Sequence, residues 1–344
     1  MPKSSLSTTN RAALLRSPAF LGHETGGHPE NPRRLVAIDA ELERQGLIEG
    51  RVEVAFAAAD RAAVERVHDP RYLDLLERVT KRGGAWLDPD TMIGPDSYEV
   101  ACLAAGAAVA AVNAALDGVA HRSFVLGRPP GHHATRARGM GFCLINTVAV
   151  AASQALARGL DRVAIVDWDV HHGNGTQDIF YDSNRVLSCS VHQSPFYPGT
   201  GSAQETGAGA GWGCTINVPL AAGQGDAVFA GVFDEIFLPR IREFRPELLL
   251  ISASFDAHQA DPIGGMRLTE TGFAALAERV VGVADECAEG RVVAVLEGGY
   301  DPLALARSVA AVLRVLDGNA PGEYDEHNTR PERAPHEQET DRRP

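Results

Sequence analysis

The sequence predicts an α/β fold, a single-domain open parallel sheet flanked by helices on both faces. Two patterns point to it. Short apolar runs alternate with helical segments along the chain, the order that parallel strands need for their crossovers. The runs are apolar on both sides rather than alternating with polar residues, as strands are when both sheet faces are covered.

Taken in order, Asp96 to Leu116 reads as a helix, with Asp96 and Glu99 spaced as a capping box and Gly118 as its stop. A short strand follows at Ser123–Leu126. Asn146 to Arg158 is helical and stops at Gly159, and Val163–Val166 is the next strand. Further strands fall at Val186–Cys189, Thr215–Val218, Leu248–Ile251 and Arg291–Leu296. Helices separate most of them: Asp226–Glu243, Thr269–Cys287, and Pro302–Leu316 with Asp301 as N-cap and Pro302 in the first turn. The Gly207–Gly213 run lacks dinucleotide-binding spacing and is expected to be a flexible loop. His28–Arg34 marks a turn entering a helix.

These elements define one domain over residues 11–317. From about Asp317 to Pro344 the chain has no Val, Ile, Leu or Phe and carries eight acidic against four basic side chains. It cannot bury enough apolar surface to offset its ordering entropy, so residues 318–344 are expected to form a mobile polar tail. The first ten residues are expected to be loose as well.

Composition narrows the function classes. A formal net charge of −13 disfavours nucleic acid as a partner. No run of 18 apolar residues occurs, since Glu99, Gly106 and Asn113 interrupt the alanine-rich stretch, so no membrane partner is expected. Five scattered cysteines without a CxxC pair point to reduced thiols and a cytoplasmic chain. Self-association is left open.

The chemistry collects after the predicted strands. Arg128-Pro-Pro-Gly-His132-His133 follows the first of four, and Asp167-Trp-Asp169-Val-His171-His-Gly-Asn174-Gly the second. Ser252–His258 and Glu297-Gly-Gly-Tyr300 follow the other two. Ligands of open parallel sheets bind outside the carboxyl ends of strands, so four strands deliver His, Asp and Tyr to one edge. Asp169 and His171 are two apart, and on extended backbone would project to the same side. With Asp256 they make a plausible catalytic zinc site of two oxygens and one nitrogen, against a reading of the first pair as a turn cluster. His132 and His133 suit acid–base work, with Asp167 and Asn174 as orienting acceptors, and Tyr300 could face a developing oxyanion. No G-x-S-x-G elbow is present for serine hydrolysis.

These motifs, together with Gly141-Phe142-Cys143, Phe196-Tyr197-Pro-Gly-Thr-Gly and His28-Pro29, resemble in order the zinc-dependent histone deacetylase family. The likeness is strongest to its class II-like branch and bacterial deacetylase-like amidohydrolases, whose fold is arginase/deacetylase-like. The resemblance implies one zinc on Asp169, His171 and Asp256, His132 and His133 as the catalytic pair with the second as the acid and base, and Tyr300 polarising the carbonyl. It implies a channel wall of Gly141, Phe142 and Tyr197 for an acyl-lysine stem, and Arg34 lining a cavity behind the metal. Structural potassium is implied at Asp167, Asp169, His171, Ser190 and Val191, and a second ion at Phe180, Ser183 and Val186. Asn174 stands where other members carry Asp, and Ser254 where many have Gly.

The implied activity is removal of acetyl or other short acyl groups from N-acyl-lysine side chains or similar small acylated amines. An acetylpolyamine amidohydrolase is the main alternative. It is disfavoured by Ile263 at the position of a glutamate gatekeeper and by the absence of an acidic insertion between Asp88 and Ser97. An acyl-lysine binding module is disfavoured because His132, His133 and Tyr300 are all present. A two-metal ureohydrolase is disfavoured because His258 stands where a second carboxylate is needed.

Overall fold

The computed structural model describes residues 11–319. The loose first ten residues and the polar tail beyond position 319, both expected from composition, lie outside these. In chain order the elements are β1 (Ala13–Leu15), α1 (Arg33–Arg44), α2 (Arg61–Glu65), α3 (Pro70–Lys81), β2 (Ala85–Trp86), β3 (Met92–Ile93), α4 (Ser97–Leu116) and β4 (Arg122–Val125). Then come α5 (Thr147–Ala157), β5 (Val163–Asp167), α6 (Asn174–Phe180), β6 (Val186–Gln193), β7 (Thr215–Leu220), α7 (Asp226–Val232) and α8 (Leu238–Phe244). The chain closes with β8 (Leu248–Ala253), α9 (Glu270–Cys287), β9 (Val292–Leu296) and α10 (Pro302–Leu316).

Seven strands form one sheet in the order β1-β4-β9-β8-β5-β6-β7, and every pairing in it is parallel. All residues of β5, β6, β8 and β9 are buried, as strands covered on both faces must be. Helices α4 and α5 pack together over β4, β5, β8 and β9, while α9 and α10 pack together with α1. From β5 the chain proceeds outward to β6 and β7, then returns to β8 on the other side of β5. The crossovers of β5 and β8 therefore leave in opposite directions, which opens a crevice at their carboxyl ends.

Local sequence explains most boundaries. Asn146 caps α5 by accepting the Ala149 N–H at 3.0 Å, and Asp301 caps α10 through Leu303 and Ala304. Gly118 and Gly159 stop their helices in the left-handed conformation. The expected capping box of α4 does not form. Asp96 has non-extended backbone and makes no side-chain cap, and the Ser97 hydroxyl instead accepts from Gly94 N–H at 2.7 Å. Helix α4 passes a length-and-apolarity test for a membrane span, yet thirteen of its twenty residues are buried, which makes it an interior helix.

Two further expectations change. The segment expected as one helix over Asp226–Glu243 carries a π turn at Phe233–Phe237 between α7 and α8. Pro239 explains it, because proline has no N–H to donate and its ring clashes with the carbonyl four residues earlier. The Gly207–Gly213 loop is close-packed: a Cβ at Gly207 would lie 2.0 Å from the Gly211 carbonyl oxygen, and one at Gly211 2.6 Å from that of Tyr181. Asp317, the last residue of the expected domain, is held inside the fold. Its carboxylate pairs with both terminal nitrogens of Arg51 at 2.7 Å and accepts the Ala12 N–H at 2.9 Å.

That pair joins the start of β1 to the end of α10, and both side chains are only 4% exposed. Asp317→Ala would strand a buried guanidinium, so a loss of about 3–5 kcal/mol is expected in urea unfolding. A loss below about 1 kcal/mol would show that the pair does not anchor the two ends.

Candidate active site

Four neighbouring strands carry the site. Past their carboxyl ends lie Arg128–His133 after β4, Asp169–Asn174 after β5, Asp256–His258 after β8 and Glu297–Tyr300 after β9. Asp169 and His171 stand beyond β5 in a turn rather than on extended backbone, which corrects the expectation from their spacing. Asp169 Oδ1 accepts the His171 N–H at 2.7 Å, folding the turn so that both side chains meet Asp256.

His171 Nδ1 lies 3.0 Å from Asp169 Oδ1 and 3.3 Å from Asp256 Oδ2. One donor atom from each of the three residues falls within 4.8 Å of the others. Burial disfavours charge on His171, yet the two carboxylates push its pKa up to about 10, so their field favours a cation there. The two oxygens of Asp256 are used differently. Oδ1 accepts from Val170 N–H at 2.9 Å and from the Ser254 hydroxyl at 2.8 Å, whereas Oδ2 is buried with no hydrogen-bond donor. Such an oxygen is costly unless a cation faces it. A Cβ at Gly298 would stand 2.5 Å from it, so glycine keeps that space open. One nitrogen and carboxylate oxygens, with room beyond them, fit a catalytic zinc ion. Ser254 thus orients a candidate ligand. His258 turns away, its Nδ1 accepting from Ala260 N–H and its Nε2 lying 3.4 Å from Glu270.

The tandem histidines differ sharply. His132 Nδ1 meets Asp167 Oδ2 at 3.0 Å, and its Nε2 lies 3.5 Å from Asp169. Burial opposes its charge, but Asp169 and Asp167 outweigh that and hold its pKa well above the usual value. His133 Nδ1 meets Asn174 Oδ1 at 2.7 Å. Burial, reinforced by the charge of His132 and His171, pushes its pKa well below the usual value. Their surroundings thus favour charge on one ring and oppose it on the other, with the ring centroids 4.0 Å apart.

Tyr300 completes the group. Burial holds its phenol protonated, its N–H donates to Asp261 Oδ2 at 2.6 Å, and the Arg34 guanidinium lies 5.0 Å from its ring centroid. Arg34 is wholly buried and donates to the carbonyls of Gly299 and Glu297 while pairing with Glu30.

His132, His133, Asp169, His171 and Tyr300 line a cavity of about 200 Å³, walled by Phe142, Phe196 and Tyr197 and reached also by Asp90, Gly141 and Ile263. Gly141 and Phe142 form a tight turn with φ of 55° and 70°, closed by reciprocal bonds between Met140 and Cys143. A left-handed phenylalanine costs about 1–3 kcal/mol, and the Thr91 hydroxyl, accepting its N–H at 3.0 Å, helps to hold it. His28 packs edge-on against Phe142 at 4.5 Å. Sequence reasoning missed Phe196, which stacks on His171 at 5.0 Å, and Asp90, which the unexpected β2–β3 hairpin carries to the channel. Ser190 pairs with Asp167 across the β5–β6 ladder, with Val191 next to it. Phe180 closes α6 and accepts the Ser183 N–H, and Val186 opens β6.

A family model described as the histone deacetylase domain matches residues 28–316. A protein named probable deacetylase from Archaeoglobus fulgidus is 43% identical over 285 residues, 82% of this chain and 79% of its own length. A histone deacetylase-like amidohydrolase from Pseudomonas aeruginosa is 41% identical over 308 residues, 88% of this chain and 79% of its own. The crystal structure of the HDA15 HD domain superposes with a TM-score of 0.86 at 37% identity, covering 90% of this chain and 89% of that one. The chain therefore belongs to the histone deacetylase family and is an enzyme that hydrolyses amide bonds.

Proposed function

We propose that the chain is a zinc-dependent amidohydrolase that removes acetyl or similar short acyl groups from N-acyl-lysine side chains. The observation that carries this reading is one cavity lined by His132, His133, Tyr300, Asp169 and His171, with Asp256 Oδ2 3.3 Å from His171 Nδ1. Those three residues would hold the ion. When bound, zinc supplies Lewis acidity and lowers the pKa of water there.

The protein's own residues divide the remaining work. The apolar rings of Phe142 and Tyr197 suit the methylene stem of the substrate. His133 is neutral and so able to take a proton from the attacking water through Nε2, while Asn174 fixes its Nδ1. Its charged form then gives that proton to the departing amine. Tyr300 donates its hydroxyl to the carbonyl oxygen as negative charge develops. His132, whose charged form Asp169 and Asp167 favour, would add positive charge nearby. Potassium at Asp167, Asp169, His171, Ser190 and Val191, and at Phe180, Ser183 and Val186, belongs to the same reading, as does a cytoplasmic location, which suits five unpaired cysteines.

One observation favours an acetylpolyamine as a second reading: the Asp90 carboxylate lines the channel. Ile263 on the opposing loop offers a distal ammonium nothing, which is why acyl-lysine remains preferred.

Three outcomes are expected. A chelator should abolish turnover and stoichiometric zinc restore it, and Asp256→Ala should lose the metal outright in elemental analysis. Turnover of a metal-free preparation would refute the zinc reading. Tyr300→Phe should lower kcat about 100- to 1000-fold with little change in KM, and near-normal kcat would make Tyr300 structural. Wild type should prefer acetyl-lysine peptides, and Ile263→Glu should shift kcat/KM about tenfold toward acetylspermidine. Equal or better wild-type turnover of acetylpolyamines would make the second reading correct.

A further inference from the structure

The buried carboxyl of Glu297 has no part in the mechanism above, yet it touches both catalytic loops. It follows β9 directly and precedes Tyr300 by three residues. Its Oε2 accepts the N–H of Gly131 at 2.6 Å and of His132 at 3.2 Å, and its Oε1 is buried without a partner. β9 pairs in register with β4, Val125 opposite Val295, so the two loops leave the sheet side by side.

The turn after β4 cannot fix itself. Pro129 and Pro130 have no N–H to donate, so Gly131 and His132 supply the first donors after them. Both point to Glu297, and the described residues offer these two N–H groups no other acceptor. We infer that Glu297 is the positioning residue that sets the tandem-histidine turn against the Tyr300 loop, working as a backbone acceptor and not through its charge.

The bare oxygen supports the second half of this statement. Burial pushes the Glu297 carboxyl up to about 7, opposed by His132 and the two backbone N–H groups. A proton taken up would sit on Oε1, which bonds to nothing, and Oε2 would go on accepting both donors. A glutamine can do the same, with its oxygen in place of Oε2 and its amide nitrogen in place of Oε1. Alanine cannot, and it leaves two buried donors unpaired.

The inference rests on the reading of His132, His133 and Tyr300 as the working groups. Its test compares Glu297→Ala and Glu297→Gln with wild type as zinc-loaded enzymes on an acetyl-lysine peptide, with metal content and thermal unfolding measured alongside. Glu297→Ala should lower kcat about 10- to 100-fold with KM within about threefold and metal content unchanged, as small misplacements of catalytic groups do. Glu297→Gln should restore kcat to within about threefold of wild type. A folded Glu297→Ala of normal kcat, or a Glu297→Gln no better than alanine, overturns the inference. If the alanine variant does not fold, the glutamine variant decides alone: near-normal kcat supports the acceptor role, and a loss beyond about tenfold refutes it. His133→Ala serves as the control. Activity surviving there would overturn the underlying reading, whereas an inactive His133→Ala beside an unimpaired Glu297→Ala overturns only the role of Glu297.

Discussion

Buried carboxylates at one edge of the sheet dictate much of what surrounds them. Asp167, Asp169, Asp256, Glu297 and Glu30 are each almost wholly shielded from water. A carboxylate in that position is tolerable only with donors or cations arranged around it. Each has a different answer. Asp167 takes His132, Glu30 takes Arg34 and Arg128, Glu297 takes two backbone N–H groups, and Asp169 takes His171. Asp256 and Glu297 each keep one oxygen without a hydrogen-bond donor. The histidine pKa shifts, the placement of Arg34 and the donor-free oxygen of Asp256 are thus parts of one electrostatic problem, solved where the crossovers diverge.

How much of this was readable beforehand depends on the range of the interaction. The central strands and the later helices were legible because apolar runs, caps and stop glycines act within a few residues. So was the gathering of the site, since the direction of a parallel strand determines which end its following loop leaves from. The β2–β3 hairpin and β1 were missed: two- and three-residue strands carry almost no periodic signal. Asp96 failed as a cap because Gly94 and Ser97 reshaped the turn, which spacing does not encode. The pairing of Asp317 with Arg51 gave no signal in the sequence, since the two are 266 positions apart.

Chain-specific chemistry was the least legible part. Ser254 stood out as a departure from the family pattern, but its consequence required knowing which oxygen of Asp256 its hydroxyl would meet. Once Oδ1 is tied down by Ser254 and Val170, Oδ2 is left without a hydrogen-bond donor, and the orientation of the carboxylate plane follows. Likewise, His132 and His133 are adjacent and chemically identical in sequence. Only their surroundings separate them: Asp169 and Asp167 favour charge on His132, whereas burial and the charges of His132 and His171 oppose it on His133.

The left-handed Phe142 has a bearing on how this protein could evolve. Glycine at that position would relieve the backbone at once, and asparagine would relieve part of it. Either change would stabilise the turn and remove the ring that faces Tyr300 at 5.7 Å. Selection for robustness alone therefore pushes against the channel, and an unconstrained lineage would drift toward a sturdier protein with a wider, less discriminating mouth.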